Sequence, residues 1–284
     1  MSPRGTDEFP EQTAVRPDQG RAPAGGASEV HRVSLERIHV YEIRSTAEGD
    51  GPVREHRAVV AAGGGALLVG SEVRLVVLDP ASCGGPVVLP RVVADHGAAR
   101  RIAADSVAAP LDFGLISRDG GKLFWCAAPF VPGRRLAALL AEAGTLPDPL
   151  SEALAVSLAG ALAAVHATGL CAVGLDAERV VVREDGSAAI LDPGLGPVWT
   201  AAARATSADG GPGRAGLEPE LLADATAVSP AVDLYALGAL LFRCMAGVEH
   251  AAAGGADDAA ARRPNAHRPS ASIFLSEVVH DLLA

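Results

Sequence analysis

The sequence has few of the residues on which nucleic-acid-binding proteins depend. Its 284 residues include 24 basic and 34 acidic side chains, so the formal net charge is −10. No basic stripe can neutralise phosphates, and aromatic residues, at 4% of the chain, offer no stacking platform for single strands. The composition therefore excludes nucleic acid as a partner. The length suits one large domain or two lobes that share an interface.

Cysteine and histidine are also too scattered to suggest a metal or disulfide framework. Cys83, Cys126, Cys171 and Cys244 lie far apart and form no Cys-x-x-Cys pair, and the eight histidines show no metal-ligand spacing. Isolated cysteines among apolar residues usually behave as small core residues. A reducing cytoplasm is therefore the expected location.

The sequence has one uncharged run long enough to raise the question of a membrane. Segment 153–175 carries no formal charge and could span a bilayer by length alone. It consists mostly of alanine, however, and contains Ser157, His166 and Thr168, all of which make insertion less favourable. We expect a core helix here and no membrane association. The chain does not open with a basic region followed by an apolar one, so no secretory signal is predicted.

The pattern of apolar residues changes along the chain. Residues 1–30 are rich in Pro, Gly and charge, which predicts a disordered arm. Residues 31–130 contain short runs of branched residues separated by turns, such as IHVYEI and HRAVVAA, as in β-strands. Residues 131–284 become helical, with LAALLAEA and LSEALAVSLAGALAAVHA at helical spacing. Between these helices and the later ones, Val180–Val182 and Ala188–Leu191 predict a small hairpin.

Several short motifs follow one another in a recognisable order. They are KLFWCAAPFVPGRRLAALL (122–140), AVGLDAER (172–179), DPG (192–194), GLEPE (216–220) and VDLYALG (232–238). Together they resemble the bacterial serine/threonine protein kinase family, whose catalytic core reads H-R-D-L-K-P-E-N, a hairpin, then D-F-G. The resemblance covers about residues 60–250. It implies an α+β, bilobal protein-kinase-like fold, with a small β-rich N-lobe (31–130) and a mainly helical C-lobe (131–284).

The same alignment implies that most of the catalytic chemistry is missing. The loop aspartate that would accept the substrate proton falls on Gly174, and the asparagine that would hold the second magnesium falls on Arg179. Asp192, at the position of the D-F-G aspartate, is still an acid and is the one metal ligand that the resemblance assigns. We expect Asp192 to lie in an open, partly solvated cleft. Asp233 is expected to anchor the backbone of the loop.

Lysine supplies an independent argument, because Lys122 is the only lysine in the chain. A working kinase needs a small-lobe lysine that pairs with phosphates and with a helix glutamate. The strand predicted at 86–91 places Pro90 at the lysine position. The following helix, at about 92–104, contains Asp95 but no glutamate.

The nucleotide-binding residues implied by the resemblance are incomplete. Gly63, Gly64 and Gly65 could form a phosphate-binding turn between the first two strands, as could Gly70, or simply a flexible hairpin. Ala128 at the gatekeeper position, with Phe130 and Val131 in the hinge, can still offer backbone groups to an adenine edge. With Asp192 as the remaining metal ligand, we expect no required cofactor and at most weak binding of ATP with magnesium.

Two further segments admit more than one interpretation. Residues Asp112, Phe113 and Gly114 spell D-F-G but precede the hinge, so we interpret them as the end of a small-lobe strand. Segment 274–284 resembles a late kinase helix, which implies a C-lobe that ends early. In the competing register, the Arg268-Pro269-Ser270 turn precedes the last helix, and about two helices before it are missing.

The resemblance leads to one main functional hypothesis and two alternatives. The main hypothesis is a catalytically inactive pseudokinase that acts through a protein partner as a regulatory module in the bacterial cytoplasm. The first alternative is an atypical serine/threonine kinase with residual ATP-dependent phosphotransfer that uses Asp192. The second is a degenerate remnant without a function of its own.

Overall fold

The residues that the computed structural model describes fall into eight segments. They are 12–13, 37–47, 53–62, 67–79, 88–118, 121–198, 228–250 and 262–284. The chain forms two compact units, one of Met1–Pro80 with Asp112–Phe130 and one of Ala81–Leu111 with Val131–Ala284. The β-rich range expected from the sequence therefore differs in one place, because segment Ala81–Leu111 packs with the helical unit.

The first unit is built on a seven-stranded sheet. Its strands are β1 (Gln12–Thr13), β2 (Arg37–Ile38), β3 (Tyr41–Thr46), β4 (Val53–Val60), β5 (Glu72–Leu78), β7 (Asp112–Arg118) and β8 (Gly121–Pro129). Their order is β1-β7-β8-β5-β4-β3-β2. Strand β5 lies at the centre, between β4 and β8, and its run of branched apolar residues suits burial on both faces.

The D-F-G triplet is part of this sheet, although it begins a strand instead of ending one. Asp112, Phe113 and Gly114 begin strand β7, and Asp112 accepts a hydrogen bond from the hydroxyl of Tyr41 at 3.3 Å. A side chain at Gly114 would meet the indole of Trp125 at 3.1 Å, so glycine allows close packing of the two strands. The triplet therefore has a structural role.

One predicted strand is a helix. Residues Leu89–Ala99 form helix α1, with Pro90 in its first turn. Proline suits that turn because its fixed φ angle is helical and its missing N–H would have no partner there, whereas a central strand would lose a hydrogen bond. The placement of Pro90 at the lysine position is therefore wrong. The strand adjacent to β8 is β5, which contains no lysine either.

The glycine-rich turn stays a prediction. Gly63, Gly64 and Gly65 lie outside the described residues, as do Cys83, segment 216–220 and nearly all of the N-terminal arm.

The second unit is helical and contains a four-stranded sheet in the order β6-β11-β10-β9. Its strands are β6 (Val107–Ala108), β9 (Arg134–Arg135), β10 (Val180–Val182) and β11 (Ala188–Leu191). After α1, its helices are α2 (Leu136–Ala143), α3 (Asp148–His166), the 3₁₀ helix η1 (Ala177–Arg179), α4 (Pro230–Ala246), α5 (Pro264–His267) and α6 (Ile273–Leu282). The β10–β11 hairpin has the boundaries predicted from the sequence.

Helices α3 and α4 form the centre of the second unit. Leu154, Leu158 and Leu162 of α3 are buried in the main apolar cluster, and Phe242 and other residues of α4 belong to the same cluster. Among the described residues, α3 is the one helix long and apolar enough to cross a bilayer, a test that core helices of soluble proteins also pass. Its buried leucines support the core interpretation.

The last helix packs against α4. A side chain at Gly238 of α4 would lie 2.8 Å from Cβ of Leu282, so glycine permits the close approach of α6. Before α6, Arg268 donates to the carbonyl of Leu146 at 2.9 Å and to the carboxylate of Asp148 at the start of α3. In this structure Arg268 therefore connects the turn before the last helix to α3.

Candidate functional site

The kinase-like loop of the second unit runs from the end of α3 to β10. Val173 and Gly174 both have left-handed backbone conformations, with φ of 43° and 73°. A side chain at either position is strained in this region, and glycine is the residue that adopts it at least cost. Gly174, which the resemblance places at the position of the catalytic aspartate, therefore has a conformational role in the loop.

Asp233 anchors this loop, as predicted. It is fully buried in α4, and its carboxylate accepts hydrogen bonds from the backbone N–H groups of Ala172 at 2.7 Å and Val173 at 2.8 Å. The Nε2 of His166 lies 2.7 Å from the same carboxylate and donates to it. His166 therefore has a structural role, because it connects the end of α3 to α4.

His166 and Asp233 also form, with Cys171, a group whose potential metal-ligating atoms lie within 4.8 Å of one another. Three hydrogen-bond donors already use the oxygens of Asp233. Burial and the nearby Asp233 charge raise the pKa of the Cys171 thiol to about 11, so the thiolate that a metal prefers is disfavoured. We interpret this group as a hydrogen-bonded anchor of the loop.

Asp192 is buried, which contradicts the open cleft expected from the sequence. Only 4% of its surface is exposed, and it has a φ of 53° at the end of β11. Next to it, a side chain at Gly194 would meet the imidazole of His96 at 2.7 Å. His96, from α1, thus packs on the turn that follows Asp192. The turn is enclosed by protein.

Burial also determines the charge of His96. It lowers the pKa of this imidazole to about 4, although the hydrogen bond to the Val92 carbonyl and the charge of Asp192 both act in the opposite direction. The Nδ1 of His96 lies 2.8 Å from that carbonyl, so this nitrogen carries the proton. His96 is therefore a neutral packing residue at neutral pH.

Arg179 has a role that the sequence did not indicate. It ends the 3₁₀ helix with 4% of its surface exposed, and its guanidinium donates to the carbonyls of Gly174 at 2.8 Å and Asp192 at 2.9 Å. It also donates to the carbonyl of Val173. Arg179, which the resemblance places at the second metal-ligand position, is thus a buried cation bonded to the loop on one side and to the Asp192 turn on the other.

These residues do not fit the two-metal arrangement that the resemblance implies. Magnesium prefers carboxylate and carbonyl oxygens, and Asp192 could still supply a carboxylate. At the second position, however, Arg179 brings a positive charge and already uses the carbonyls of the loop. A divalent cation at that position would meet a like charge and fewer free ligands.

The predicted nucleotide-binding residues of the first unit lie along β8 and just beyond it. Ala128 is buried in β8, and Phe130 follows the strand with its ring 4.6 Å from the guanidinium carbon of Arg57. Val131 belongs to the second unit, where it packs on the cluster of Ala108, Val181 and Leu191.

The sheet face that carries Ala128 also carries an ion pair with a buried arginine. Arg74 of β5 is directly opposite Ala128 in the strand register, so the two side chains share a face. Only 7% of Arg74 is exposed, and its Nε donates to the Glu55 carboxylate at 2.9 Å. No sequence pattern indicates this pair, because a contact between β4 and β5 depends on the strand register.

Two bacterial serine/threonine-protein kinases are similar to this chain in sequence. The chain is 30% identical over 207 residues to the serine/threonine-protein kinase PknL of Mycobacterium tuberculosis. The matched region covers 72% of the chain and 50% of PknL. The chain is also 33% identical over 119 residues to the serine/threonine-protein kinase AfsK of Streptomyces coelicolor, and this match covers 41% of the chain and 14% of AfsK. The chain thus spans about half the length of PknL. No protein-family model matches it.

A solved structure is similar in fold. The structure of PpkA-294 in its apo form superposes with a TM-score of 0.65 at 18% identity, over 87% of this chain and 91% of that one. The fold is therefore the α+β, kinase-like fold expected from the sequence, with a β-rich unit and a helical unit.

Proposed function

The chain is a homologue of bacterial serine/threonine protein kinases with a kinase-like fold, and on this premise we propose that it is a pseudokinase. It acts as a binding or regulatory module in bacterial signalling and does not transfer phosphate efficiently. The observation that carries this proposal is the contrast within the loop. Asp233 holds its backbone in place, while Gly174 stands where the proton-accepting acid would be.

The positive charge that would bind the phosphates of a nucleotide is also reduced. Phosphoryl transfer depends on positioning and charge neutralisation, so the small-lobe lysine acts together with the metal ions and the loop aspartate. Strand β5 contains no lysine, and Lys122 is exposed at the start of β8. Among described residues of β5, Arg74 is the one basic side chain, and it is paired with Glu55.

Nucleotide binding is expected to be weak for a second reason. Pockets for flat aromatic ligands are mostly apolar with few polar groups. The sheet face next to Ala128 instead presents the charged Arg74–Glu55 pair, in which the Arg74 side chain is buried. We propose that ATP with magnesium binds at millimolar concentration or not at all, roughly −4 kcal/mol or weaker.

Incubation of the purified chain with labelled ATP and magnesium or manganese, with and without a generic basic acceptor protein, tests the central claim. We expect no incorporation above that of the matched Asp192→Ala variant. Incorporation by the unmodified chain that disappears in Asp192→Ala would establish the atypical kinase and reject the pseudokinase.

Thermal melting with nucleotide tests the binding claim separately. A ligand that binds the native state raises the melting temperature according to its concentration and affinity. We expect no shift with micromolar ATP in the presence or absence of magnesium. A metal-dependent shift at micromolar ATP would show that the Arg74–Glu55 face does not prevent nucleotide binding.

Without catalysis, such a fold works through contact with another protein. We propose that the partner is a protein of the bacterial cytoplasm, where kinases of this kind receive and pass on signals. No membrane or nucleic-acid contact is part of the proposal, given the net charge of −10 and the core position of α3.

A further inference from the structure

The carbonyl groups around Arg179 converge from two separate parts of the second unit. The guanidinium donates to five of them, which belong to Ala172, Val173, Gly174, Leu191 and Asp192. Three are in the loop that follows α3, and two are at the end of β11 and in the turn beyond it. Carbonyl oxygens that point at one place repel each other unless a cation lies between them, so this arrangement has the form of a cation site.

The opposite side of the same loop faces an anion. The peptide group between Ala172 and Val173 accepts from Nη2 of Arg179 at 3.3 Å through its carbonyl and donates to Asp233 at 2.8 Å through its N–H. Its dipole therefore lies between a buried positive charge and a buried negative charge, aligned with both. Asp233 and Arg179 together hold the loop from its two sides, and only Asp233 was foreseen.

We propose that Arg179 is a resident cation that takes the place of a metal ion in this loop. It orders the loop and the Asp192 turn without divalent metal or nucleotide, and it prevents a divalent cation from binding between them. This inference rests on the proposed function for the position assigned to Arg179, but it concerns stability and metal binding rather than phosphotransfer. The loop would thus be presented to a partner in one conformation whatever the supply of metal or ATP.

Arginine suits this role better than lysine. Its planar guanidinium offers several N–H donors in a fixed arrangement and stays charged in any environment, whereas an ammonium group has three donors and loses its proton more readily when buried. Asp176 caps the short 3₁₀ helix, and its carboxylate accepts hydrogen bonds from the N–H groups of Glu178 and Arg179. Asp176 thereby fixes the backbone from which the Arg179 side chain enters the loop.

The test is thermal melting of the full chain with and without millimolar manganese or magnesium, in the absence of nucleotide. We expect the melting temperature of the unmodified chain to be the same in both conditions. Arg179→Met, which keeps the length and loses the charge and donors, should melt lower in both conditions. Arg179→Asn should melt lower without metal and recover part of the loss with manganese.

Two controls assign these effects to the site. Arg183→Met removes another arginine of the same segment, whose guanidinium contacts Ser187 and the Asp105 carbonyl, and should change the melting temperature less than Arg179→Met. Asp192→Ala, added to Arg179→Asn, should abolish the recovery with manganese.

Three results would overturn the inference. They are equal melting of Arg179→Met and the unmodified chain, a manganese shift in the unmodified chain as large as in Arg179→Asn, and no recovery of Arg179→Asn with manganese. If the Arg179 variants do not fold, hydrogen exchange of the unmodified chain decides the matter. We expect protection of the loop amides that does not change with magnesium and ATP, and protection that requires them would refute the proposal. Phosphotransfer activity, which would reject the pseudokinase, leaves these measurements unaffected.

Discussion

Removing the Asp233 carboxylate should destabilise the second unit more than a typical surface substitution. Asp233→Ala deprives the backbone N–H groups of Ala172 and Val173, and the imidazole of His166, of their acceptor. Asp233 is fully buried, and a buried donor left without a partner costs about 1–3 kcal/mol. The two amides alone therefore predict a loss of about 2–6 kcal/mol in the free energy of unfolding.

Urea denaturation measures this loss, because its midpoint falls with stability while its slope reports the surface exposed on unfolding. The corresponding fall in melting temperature is on the order of 10 °C. Asp233→Asn keeps one oxygen acceptor and should lie between Asp233→Ala and the unmodified chain. Glu72→Ala is a matched control, since the Glu72–Arg57 pair is about half exposed and should contribute less than about 1 kcal/mol.

A loss for Asp233→Ala no larger than that of Glu72→Ala would refute this reasoning. It would mean that the loop amides reach water or another acceptor when the carboxylate is removed. The hydrogen bonds to Ala172 and Val173 would then be a consequence of the fold rather than one of its causes.

Three other predictions follow from the same structure. Gly174→Asp should not bring phosphotransfer in the labelled-ATP assay, and it should lower stability by about 1 kcal/mol because φ there is 73°. Burial lowers the pKa values of His56, His96 and His250, so each favours its neutral form in the fold. The stability that these neutral histidines contribute is then fully present above about pH 6.5 and is lost as the pH falls below it. His250→Phe should make the free energy of unfolding, measured by urea titration, depend less steeply on pH. Cys171, with its pKa raised to about 11, should react with iodoacetamide at neutral pH far more slowly in the native than in the unfolded chain, as measured by peptide mass spectrometry.

Much of the helical unit could be predicted from the sequence because its signals are local. Helix α2 and the β10–β11 hairpin have the predicted boundaries, since apolar spacing and the turn at Gly186 depend on neighbouring residues only. The strand predicted around Pro90 was wrong for the same reason, since that prediction used local signals alone. The run PVVLPRVV is rich in branched residues, and only the sheet order reveals that β5 already fills the place beside β8.

The sequence by itself determined which side chains stand at the positions that the resemblance assigns to catalysis. The single lysine and the glycine at position 174 are facts of composition and order, and no folding can restore a missing side chain. It also indicated Asp233 as an anchor, because the motif around it is continuous. Tertiary structure alone decided what the substituted residues do instead. Arg179 meets the carbonyl of Asp192, thirteen positions away, and Arg74 meets Glu55 across two strands, so both contacts depend on how distant segments are brought together. Burial strengthens both contacts, because a buried charge interacts more strongly with its partners than a charge in water does.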